Sequence, residues 1–204
     1  GIVGYVGPKA TLDVLIGGLR RLEYRGYDSA GVSVITSTGQ LETRKKAGKL
    51  TNLVGEIEAH PVPESHIGIG HTRWATHGGP TDENAHPHIS DSGKLAVIHN
   101  GIIENYVELR SDLERRGYKF NSETDTESVA HLLSEEYKTT KDLSAAMRVV
   151  CKKLRGSFTL LAIHSEDPET IVGARRNSPL VVGLGEKENF LASDVSAFIS
   201  YTKR

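Results

Sequence analysis

The order of hydrophobic patterns along the chain restricts its fold more than any other feature. Short apolar runs that predict strands occupy much of the first hundred residues and return from residue 158 onward. Between them, three patterns of helical spacing follow one another at residues 104–116, 126–137 and 143–154. Strands and helices in separate blocks are typical of an α+β layered fold, because regular β-α-β alternation would intersperse them.

The remaining elements are predicted in the same way, from apolar spacing and turn residues. Residues 11–22 and 49–59 carry apolar side chains at helical spacing, so two further helices are expected there. Residues 30–36 and 41–46 flank a polar turn and are expected to pair as a hairpin. The other expected strands lie at residues 1–7, 67–71, 95–99, 158–163, 171–174, 180–184 and 190–192, with a turn at residues 166–168.

Length and composition indicate a single domain spanning residues 1–204. A chain of 204 residues with 37% hydrophobic content can bury one core and is short for two. Its 25 Lys and Arg residues balance 26 Asp and Glu residues, so no strong field favours nucleic acid or an anionic membrane as a partner. The longest apolar stretches, such as residues 179–184, fall far below the roughly 20 residues that a membrane-spanning helix needs.

The cysteine content and the first residues bear on cellular location. The single cysteine cannot form an internal disulfide and no secretory leader pattern is present, so a reducing cytoplasm is expected. The chain opens at Gly1 and has its one methionine at Met147, whereas a cytoplasmic chain normally begins with methionine. We therefore expect that residues preceding Gly1 have been removed or lie outside the sequence.

Cys151 is a candidate nucleophile by residue type alone. It belongs to the apolar stripe of the helix predicted at residues 143–154, and free cysteines in such positions are usually buried and inert. We therefore interpret it as a small hydrophobic residue. The sequence contains no Gly-x-Ser-x-Gly elbow, phosphate-binding loop or paired-cysteine motif, so generic motifs identify no reaction.

Five of the nine histidines lie close together in the sequence, at His71, His77, His86, His88 and His99. No His-x-x-x-His helical pair is present, and an extended segment around Pro87 would direct the imidazoles of His86 and His88 to opposite sides. A metal centre is therefore disfavoured, and the histidines are expected to anchor a long polar loop through hydrogen bonds. Neither a metal nor a cofactor is expected.

Three short polar motifs could carry chemistry, and each has a simpler alternative. Arg73 followed by Trp74 offers a guanidinium that can grip a carboxylate against an apolar wall, or only a surface arginine stacked on tryptophan. Asn100 and Gly101 offer two donors to a developing oxyanion, or only a turn. Asp125 directly precedes a predicted helix and could act in a site or only cap that helix.

Several longer segments resemble one family when they are taken together. They are GIVG at residues 1–4, LRRLEYRGYDSAG at 19–31, HTRWATHG at 71–78, NAHPH at 84–88, VIHNGIIEN at 97–105 and SETDTE at 122–127. These segments span most of the chain and closely resemble the glutaminase domain of the glucosamine-6-phosphate synthases, which are class II glutamine amidotransferases. The related amidophosphoribosyltransferases keep an Arg-Gly-x-Asp-Ser-Ala-Gly run and a His-Asn-Gly turn, but HTRWATHG and NAHPH resemble the sugar-phosphate enzymes.

The resemblance implies an N-terminal-nucleophile hydrolase fold, which is a four-layer αββα sandwich. It also implies that a cysteine immediately precedes Gly1 and attacks the side-chain amide of L-glutamine, so that glutamate and ammonia are formed. The α-amine of that cysteine, with an ordinary pKa of about 8, can shuttle protons at neutral pH. One residue would then supply both the nucleophile and the base.

The same resemblance implies roles for eight residues of this sequence. The Asn100 side chain and the Gly101 N–H would form the oxyanion hole, and Arg25 would help to order the site near the nucleophile. Arg73 would grip the glutamine α-carboxylate, and Asp125 would pair with its α-ammonium. A mobile loop would close the pocket through three side chains, Trp74, Thr76 and His77.

The resemblance also implies partners and leaves alternatives open. In the family, ammonia passes to a sugar isomerase domain that converts fructose 6-phosphate to glucosamine 6-phosphate, and the full-length protein is a homodimer. Nothing in residues 1–204 resembles that isomerase domain, so the sequence is expected to be part of a longer protein. The alternatives are a catalytically inactive, glutamine-binding regulatory domain and another class II amidotransferase such as an amidophosphoribosyltransferase.

Overall fold

Two β-sheets form the centre of the computed structural model, which describes residues 1–204. The strands are β1 (Ile2–Val6), β2 (Ser29–Thr36), β3 (Leu41–Ala47), β4 (Ser65–Arg73), β5 (His88–Ile89), β6 (Leu95–Ile103), β7 (Gly156–His164), β8 (Asp167–Arg176), β9 (Val181–Leu184) and β10 (Asn189–Ala192). The helices are α1 (Thr11–Arg21), α2 (Leu50–Ala59), α3 (Tyr106–Arg115), α4 (Thr126–Thr140) and α5 (Leu143–Lys153). Two 3₁₀ turns are present, at Glu23–Arg25 and Val195–Ala197.

The sheets pack face to face, and helices cover both outer faces. The first sheet has the strand order β3-β2-β4-β1-β10-β9 and the second has the order β5-β6-β7-β8, with antiparallel pairing throughout. Helices α1 and α2 pack on the first sheet, and α4 and α5 pack on the second. The architecture is therefore the expected αββα sandwich, with helices in the outer layers and sheets in the inner ones.

Each interface between layers has its own apolar core. One cluster joins α1 and α2 to the first sheet, and another joins α3, α4 and α5 to the second. The third lies between the sheets and consists of small and branched side chains: Ile2, Ile35, Ile67, Ile69, Ala96, Ile98, Leu161 and Ile163. Because the residues of a strand point alternately to its two faces, a strand buried on both faces supplies two cores at once.

Helix α1 shows how local sequence produces the outer layer. Its buried residues follow the helical pattern i, i+3, i+4, i+7, i+8, at Thr11, Val14, Leu15, Gly18 and Leu19. That spacing puts all five on one face of an α-helix, and this face lies against the first sheet. Arg20 and Arg21 lie in the last turn, where positive charge interacts favourably with the helix dipole.

Most predicted elements are confirmed, and β6 and β8 differ most from their predicted bounds. Strand β6 continues four residues past the predicted end at residue 99, and β8 begins at Asp167 inside the predicted turn. Asn100 and Gly101 interrupt the apolar run of β6, and residues 167–170 of β8 are mostly polar, so neither extension was predicted. Pairing with β7 holds both ends in the sheet. The two-residue strand β5 is too short to have produced a pattern.

None of the helices combines the length and apolar character that crossing a bilayer requires.

Candidate active site

One cavity of about 400 Å³ opens where the two sheets meet the start of α4. Its wall includes Gly1 and residues from the ends of β4 and β6. Seven of the eight site residues expected from the sequence line it: Arg25, Arg73, Trp74, Thr76, Asn100, Gly101 and Asp125. The eighth, His77, is not part of the wall. A larger hollow of about 530 Å³, next to Arg116 and His131, contains none of them.

Asn100 and Gly101 lie within strand β6 rather than in a turn. Asn100 pairs with Thr159 and Gly101 with Phe158 of β7, so the turn interpretation of these residues is wrong. Asn100 also lacks the positive φ that turn asparagines often adopt. Gly101 has a φ of 120°, and a Cβ atom there would lie 2.2 Å from the carbonyl oxygen of Ser157. Glycine is therefore required at this point of the cavity wall.

Asp125 does not cap helix α4, so the capping interpretation is wrong as well. Its φ and ψ are −65° and −30°, which are helical values, and its side chain makes no capping hydrogen bond. Instead, Oδ2 accepts a hydrogen bond from the backbone N–H of Ile103 at 2.8 Å. Oδ1 lies 3.8 Å from Nδ1 of His99. The carboxylate is therefore buried against β6, at the cavity, where it can meet a cationic group of a ligand.

Arg73 is buried, with a relative exposure of 4%, which excludes the alternative of a surface arginine stacked on Trp74. Its guanidinium donates hydrogen bonds to three backbone carbonyls of the following loop, those of His77, Gly78 and Gly79. The bonds to Gly78 and Gly79 are both 3.0 Å long. Of the five N–H groups of the guanidinium, Nε–H and one on Nη1 are left for a ligand.

Asp28 holds the other end of this loop. Its Oδ2 accepts a hydrogen bond from the Ala75 N–H at 2.6 Å, and its Oδ1 lies 3.7 Å from Nη1 of Arg73. The backbone N–H of Asp28 also donates to the carbonyl of Arg73 at 2.7 Å. The loop after β4 is therefore folded around an ion pair between the buried Arg73 and the partly exposed Asp28. Asp28 lies in the segment LRRLEYRGYDSAG, but its own role was not predicted.

The three loop side chains occupy different positions at the mouth of the cavity. Trp74 is 70% exposed, and its ring lies beside Gly26, where an added Cβ would be 3.0 Å from the indole. Thr76 lines the cavity, and its hydroxyl lies 3.2 Å from Nδ1 of His77. The His77 ring packs edge-on against Tyr106, with 4.6 Å between ring centroids. His77 therefore ties the loop to α3 rather than facing the cavity.

Gly1 lies at the inner end of the cavity. Its α-amine donates to the carbonyl of Thr72 at 2.8 Å. Arg25 is held at the rim by Asp194, whose Oδ2 accepts from Nη2 at 2.9 Å. Tyr24 also donates to Asp194, and this bond is the main cause that lowers the pKa of that carboxyl to about 2.

Four histidines form a buried cluster behind the cavity: His71, His86, His88 and His99. Burial lowers the pKa of each imidazole below its usual value, so all four are neutral at pH 7. The expectation that His86 and His88 point to opposite sides is wrong, because the centroids of their rings lie 4.7 Å apart. The histidines do anchor the polar loop, as expected.

Hydrogen bonds connect these histidines to the cavity wall. The hydroxyl of Thr126 lies 2.9 Å from Nε2 of His86 and 2.8 Å from Nδ1 of His99. Nε2 of His71 lies 2.8 Å from the carbonyl oxygen of His99 and 3.0 Å from Oδ1 of Asn100. His71, His86, His99 and Thr126 all line the cavity, and sequence reasoning did not place them there. No group of three or more His, Cys, Asp and Glu side chains has an arrangement that could hold a metal ion.

Comparisons with known proteins agree with this geometry. A family model described as "Glutamine amidotransferase domain" matches residues 71–200. The chain is 64% identical to a glutamine–fructose-6-phosphate aminotransferase (isomerizing) of Streptomyces coelicolor, and 58% identical to one from Thermus thermophilus. Both matches cover 100% of the chain and 33% of the relative. The chain therefore spans about a third of the length of the curated relatives that it matches.

Solved structures show the same fold. A glutamine phosphoribosylpyrophosphate amidotransferase from B. subtilis superposes with a TM-score of 0.82 at 27% identity, covering 98% of the chain and 44% of that protein. An allosteric regulatory enzyme of purine biosynthesis superposes with a TM-score of 0.83 at 28% identity, covering 98% and 43%. These likenesses confirm the predicted N-terminal-nucleophile hydrolase fold. Together with the family model, which matches more than half of the residues, they establish that the chain belongs to the glutamine amidotransferase family.

Proposed function

We propose that this domain hydrolyses L-glutamine to glutamate and ammonia, with a cysteine immediately before Gly1 as the nucleophile. The observation that carries the proposal is the composition of one cavity wall. Gly1, the Asn100–Gly101 pair and two opposite charges, Arg73 and Asp125, all line it. A free amino acid presents one carboxylate and one ammonium, and those two charges are what this pair of side chains can bind.

In the proposed reaction, the thiolate sulfur forms a bond to the side-chain amide carbon of glutamine. The carbonyl π electrons move to oxygen, which becomes the oxyanion of a tetrahedral intermediate. The α-amine of the same cysteine takes the proton that the thiol loses. Collapse of the intermediate re-forms the carbonyl and breaks the carbon–nitrogen bond, and the leaving amide nitrogen takes that proton from the α-ammonium of the cysteine to depart as ammonia. Water then attacks the thioester, and glutamate and the thiol are released.

The backbone of β6 supports the proposed oxyanion hole. On either side of Gly101, the His99 carbonyl bonds to His71 and the Ile103 N–H bonds to Asp125, so both point away from β7. Alternate residues of a strand direct their backbone groups to the same side. The Gly101 N–H is therefore expected to face the cavity beside the Asn100 side chain, and together they would stabilise the oxyanion.

The test uses protein with a cysteine and its free α-amine placed before Gly1. We expect it to release glutamate and ammonia from L-glutamine in equal amounts, and to keep its rate in a strong chelator. The same protein with serine in place of that cysteine is the control and should be inactive. Binding of glutamine without turnover would instead support the inactive regulatory domain. A rate lost in chelator and restored by zinc would contradict the absence of a catalytic metal.

For the longer protein, we propose transfer of the ammonia to fructose 6-phosphate by a sugar isomerase domain, within a homodimer. The support is the much higher identity to glutamine–fructose-6-phosphate aminotransferases, 64%, than to the phosphoribosylpyrophosphate enzyme, 27%. Full-length protein supplied with glutamine and fructose 6-phosphate should form glucosamine 6-phosphate. Formation of phosphoribosylamine from phosphoribosyl pyrophosphate would favour the other enzyme. The cytoplasmic location stays a prediction.

A further inference from the structure

The orientation of the Asn100 side-chain amide decides whether it can donate to an oxyanion. Only the Nδ2 group of asparagine donates hydrogen bonds, whereas Oδ1 accepts them. If Oδ1 faced the cavity instead, its partial negative charge would lie beside the negative charge of the oxyanion and repel it. The proposed chemistry therefore requires a neighbouring group that holds Nδ2, and not Oδ1, toward the cavity.

His71 is the group in contact with this amide. Its Nε2 lies 2.8 Å from the carbonyl oxygen of His99 and 3.0 Å from Oδ1 of Asn100. A carbonyl oxygen can only accept a hydrogen bond, so Nε2 must carry the hydrogen and act as the donor. If the amide were reversed, Nδ2 would face that N–H, donor against donor. The reversed orientation is therefore disfavoured, and Nδ2 is directed away from His71.

The surroundings of His71 hold its ring and its tautomer in place. The imidazole is buried and stacks on that of His86, with 4.2 Å between ring centroids. Nδ1 has no hydrogen-bond partner, so no group competes to move the hydrogen from Nε2. Burial also keeps the pKa of His71 well below its usual value, which leaves a single hydrogen on the neutral ring. The donor at Nε2 is thus permanent at neutral pH.

We propose, building on the glutaminase function above, that His71 is a positioning residue that fixes the Asn100 amide with Nδ2 toward the oxyanion. His71 acts through Asn100. It lowers the free energy of the transition state and not that of bound glutamine, because the side-chain carbonyl oxygen of glutamine carries a full negative charge only as the reaction proceeds. His71 belongs to the segment HTRWATHG, for which the resemblance implied site roles at Arg73 and Trp74 but not at His71.

The test compares steady-state kinetics of variants in the cysteine-bearing protein. Loss of one oxyanion donor costs about a hundredfold in kcat, so His71→Leu is expected to lower kcat by between about tenfold and a hundredfold. KM should stay within about twofold, because ground-state binding is unchanged. His71→Gln can return an N–H donor near the position of Nε2 and should recover much of the lost rate.

Two further variants separate positioning from general damage to the fold. In an Asn100→Ala background, His71→Leu should lower kcat by less than about twofold, since residues that act as a unit are not additive. His88→Leu removes another buried imidazole of the same cluster, one that contacts Thr124 rather than Asn100. This control should lose stability in denaturant unfolding but keep kcat close to that of the parent.

The outcomes are distinguishable from failure of the glutaminase proposal itself. A parent protein that releases no glutamate would overturn both proposals. With an active parent, a His71→Leu variant at the parent rate would overturn the positioning role alone. Equal losses from His71→Leu in the parent and in the Asn100→Ala background would also overturn it, because His71 would then act independently of Asn100. If His71→Leu does not fold, His71→Met, which also lacks an N–H donor, replaces it in both backgrounds and is judged by the same criterion.

Discussion

The carboxylate of Asp125 and the backbone N–H of Ile103 are joined by a hydrogen bond of 2.8 Å, which ties the start of α4 to the end of β6. Asp125→Asn keeps an acceptor for this bond but removes the negative charge. Glutamine should therefore bind more weakly, by the roughly 1.5 to 3 kcal/mol of a charged hydrogen bond, in a folded protein. Isothermal titration of glutamine into both proteins, each with serine in place of the nucleophilic cysteine so that glutamine is not hydrolysed, measures this difference.

An analogue of glutamine without the α-amine tests the same pairing from the ligand's side. The parent should discriminate strongly against this analogue, and Asp125→Asn should discriminate little. Equal penalties in the two proteins would show that Asp125 only fastens β6 to α4.

Arg73 is expected to hold both the loop and the substrate carboxylate. Arg73→Ala should raise the KM for glutamine steeply, since a charged hydrogen bond contributes roughly 1.5 to 3 kcal/mol. It should also release the loop carbonyls, so the amides of residues 75–79 should exchange with deuterium faster. Arg115→Ala, at an exposed position on α3, is the matched control and should change neither quantity. A raised KM with unchanged deuterium exchange in the loop would support the role in binding the carboxylate and contradict the role in holding the loop.

Asn100 should matter for turnover and little for binding. Asn100→Ala in cysteine-bearing protein should lower kcat by about a hundredfold or more, as the loss of one oxyanion donor does in other enzymes. Asn100→Gly should be just as slow, because glycine also lacks the amide donor. Asn100 occupies a strand and has no positive φ, so glycine offers no compensating relief of backbone strain. A stable Asn100→Gly protein with turnover near that of the parent would refute the oxyanion role.

Cys151 should be dispensable for the reaction. It lies half-buried on α5, away from the cavity, and burial raises the pKa of its thiol. Cys151→Ser should keep the rate within about threefold of the parent, as for a change away from the site. Iodoacetamide should alkylate Cys151 more slowly than glutathione at pH 8, because less thiolate is present. Rapid labelling of Cys151, or an inactive Cys151→Ser variant, would reopen its assignment.

The buried histidine cluster predicts a loss of stability in acid. The pKa values of His71, His86, His88 and His99 are lowered in the folded state, so below about pH 6.5 the unfolded chain binds protons that the folded chain excludes. The free energy of unfolding should therefore fall as pH decreases from 6.5, by up to roughly 1.4 kcal/mol per pH unit for each histidine. Urea unfolding at pH 7.5, 6.5 and 5.5 measures the slope.

A matched pair of variants assigns this slope to the cluster. His88→Gln removes one of the buried titrating groups and should make the dependence on pH shallower. His66→Gln replaces an exposed histidine on β4 and should leave it unchanged. The same slope in all three proteins would mean that other groups control acid unfolding.

Much of the fold was predictable because each outer helix and most strands carry a simple apolar period. What spacing could not show is how far a polar strand end continues. Asn100 and Gly101 have no hydrophobic signal, and they are kept in β6 by β7, a strand that lies more than 50 residues further along the chain. A local pattern contains no information about a partner at that distance, so a turn was a reasonable alternative.

The resemblance predicted which residues meet around one cavity, and the roles of those residues stay predictions, whereas contacts that depend on burial were not predicted. Arg73, Asn100 and Asp125 were expected in one pocket, and one cavity contains them. Two further residues were not expected to contribute, although both lie inside segments that carry the resemblance: His71 lines the cavity, and Asp28 holds the loop beside it. The contribution of Asp28 depends on its ion pair with Arg73, and that of His71 depends on a hydrogen bond to Asn100. Both contacts become visible only when the distances between strands are known.

The cavity lies where the two sheets meet, and neither sheet alone supplies all the residues of its wall. Gly1 and Arg73 belong to the side of the first sheet, whereas Asn100 and Asp125 belong to the side of the second. The distance between the proposed nucleophile, next to Gly1, and the proposed oxyanion donors is therefore set by the thickness of the layer between the sheets, where Ile69 and Leu161 pack. Evolution can tune the reaction from that layer, with substitutions of a single methyl group that never touch glutamine.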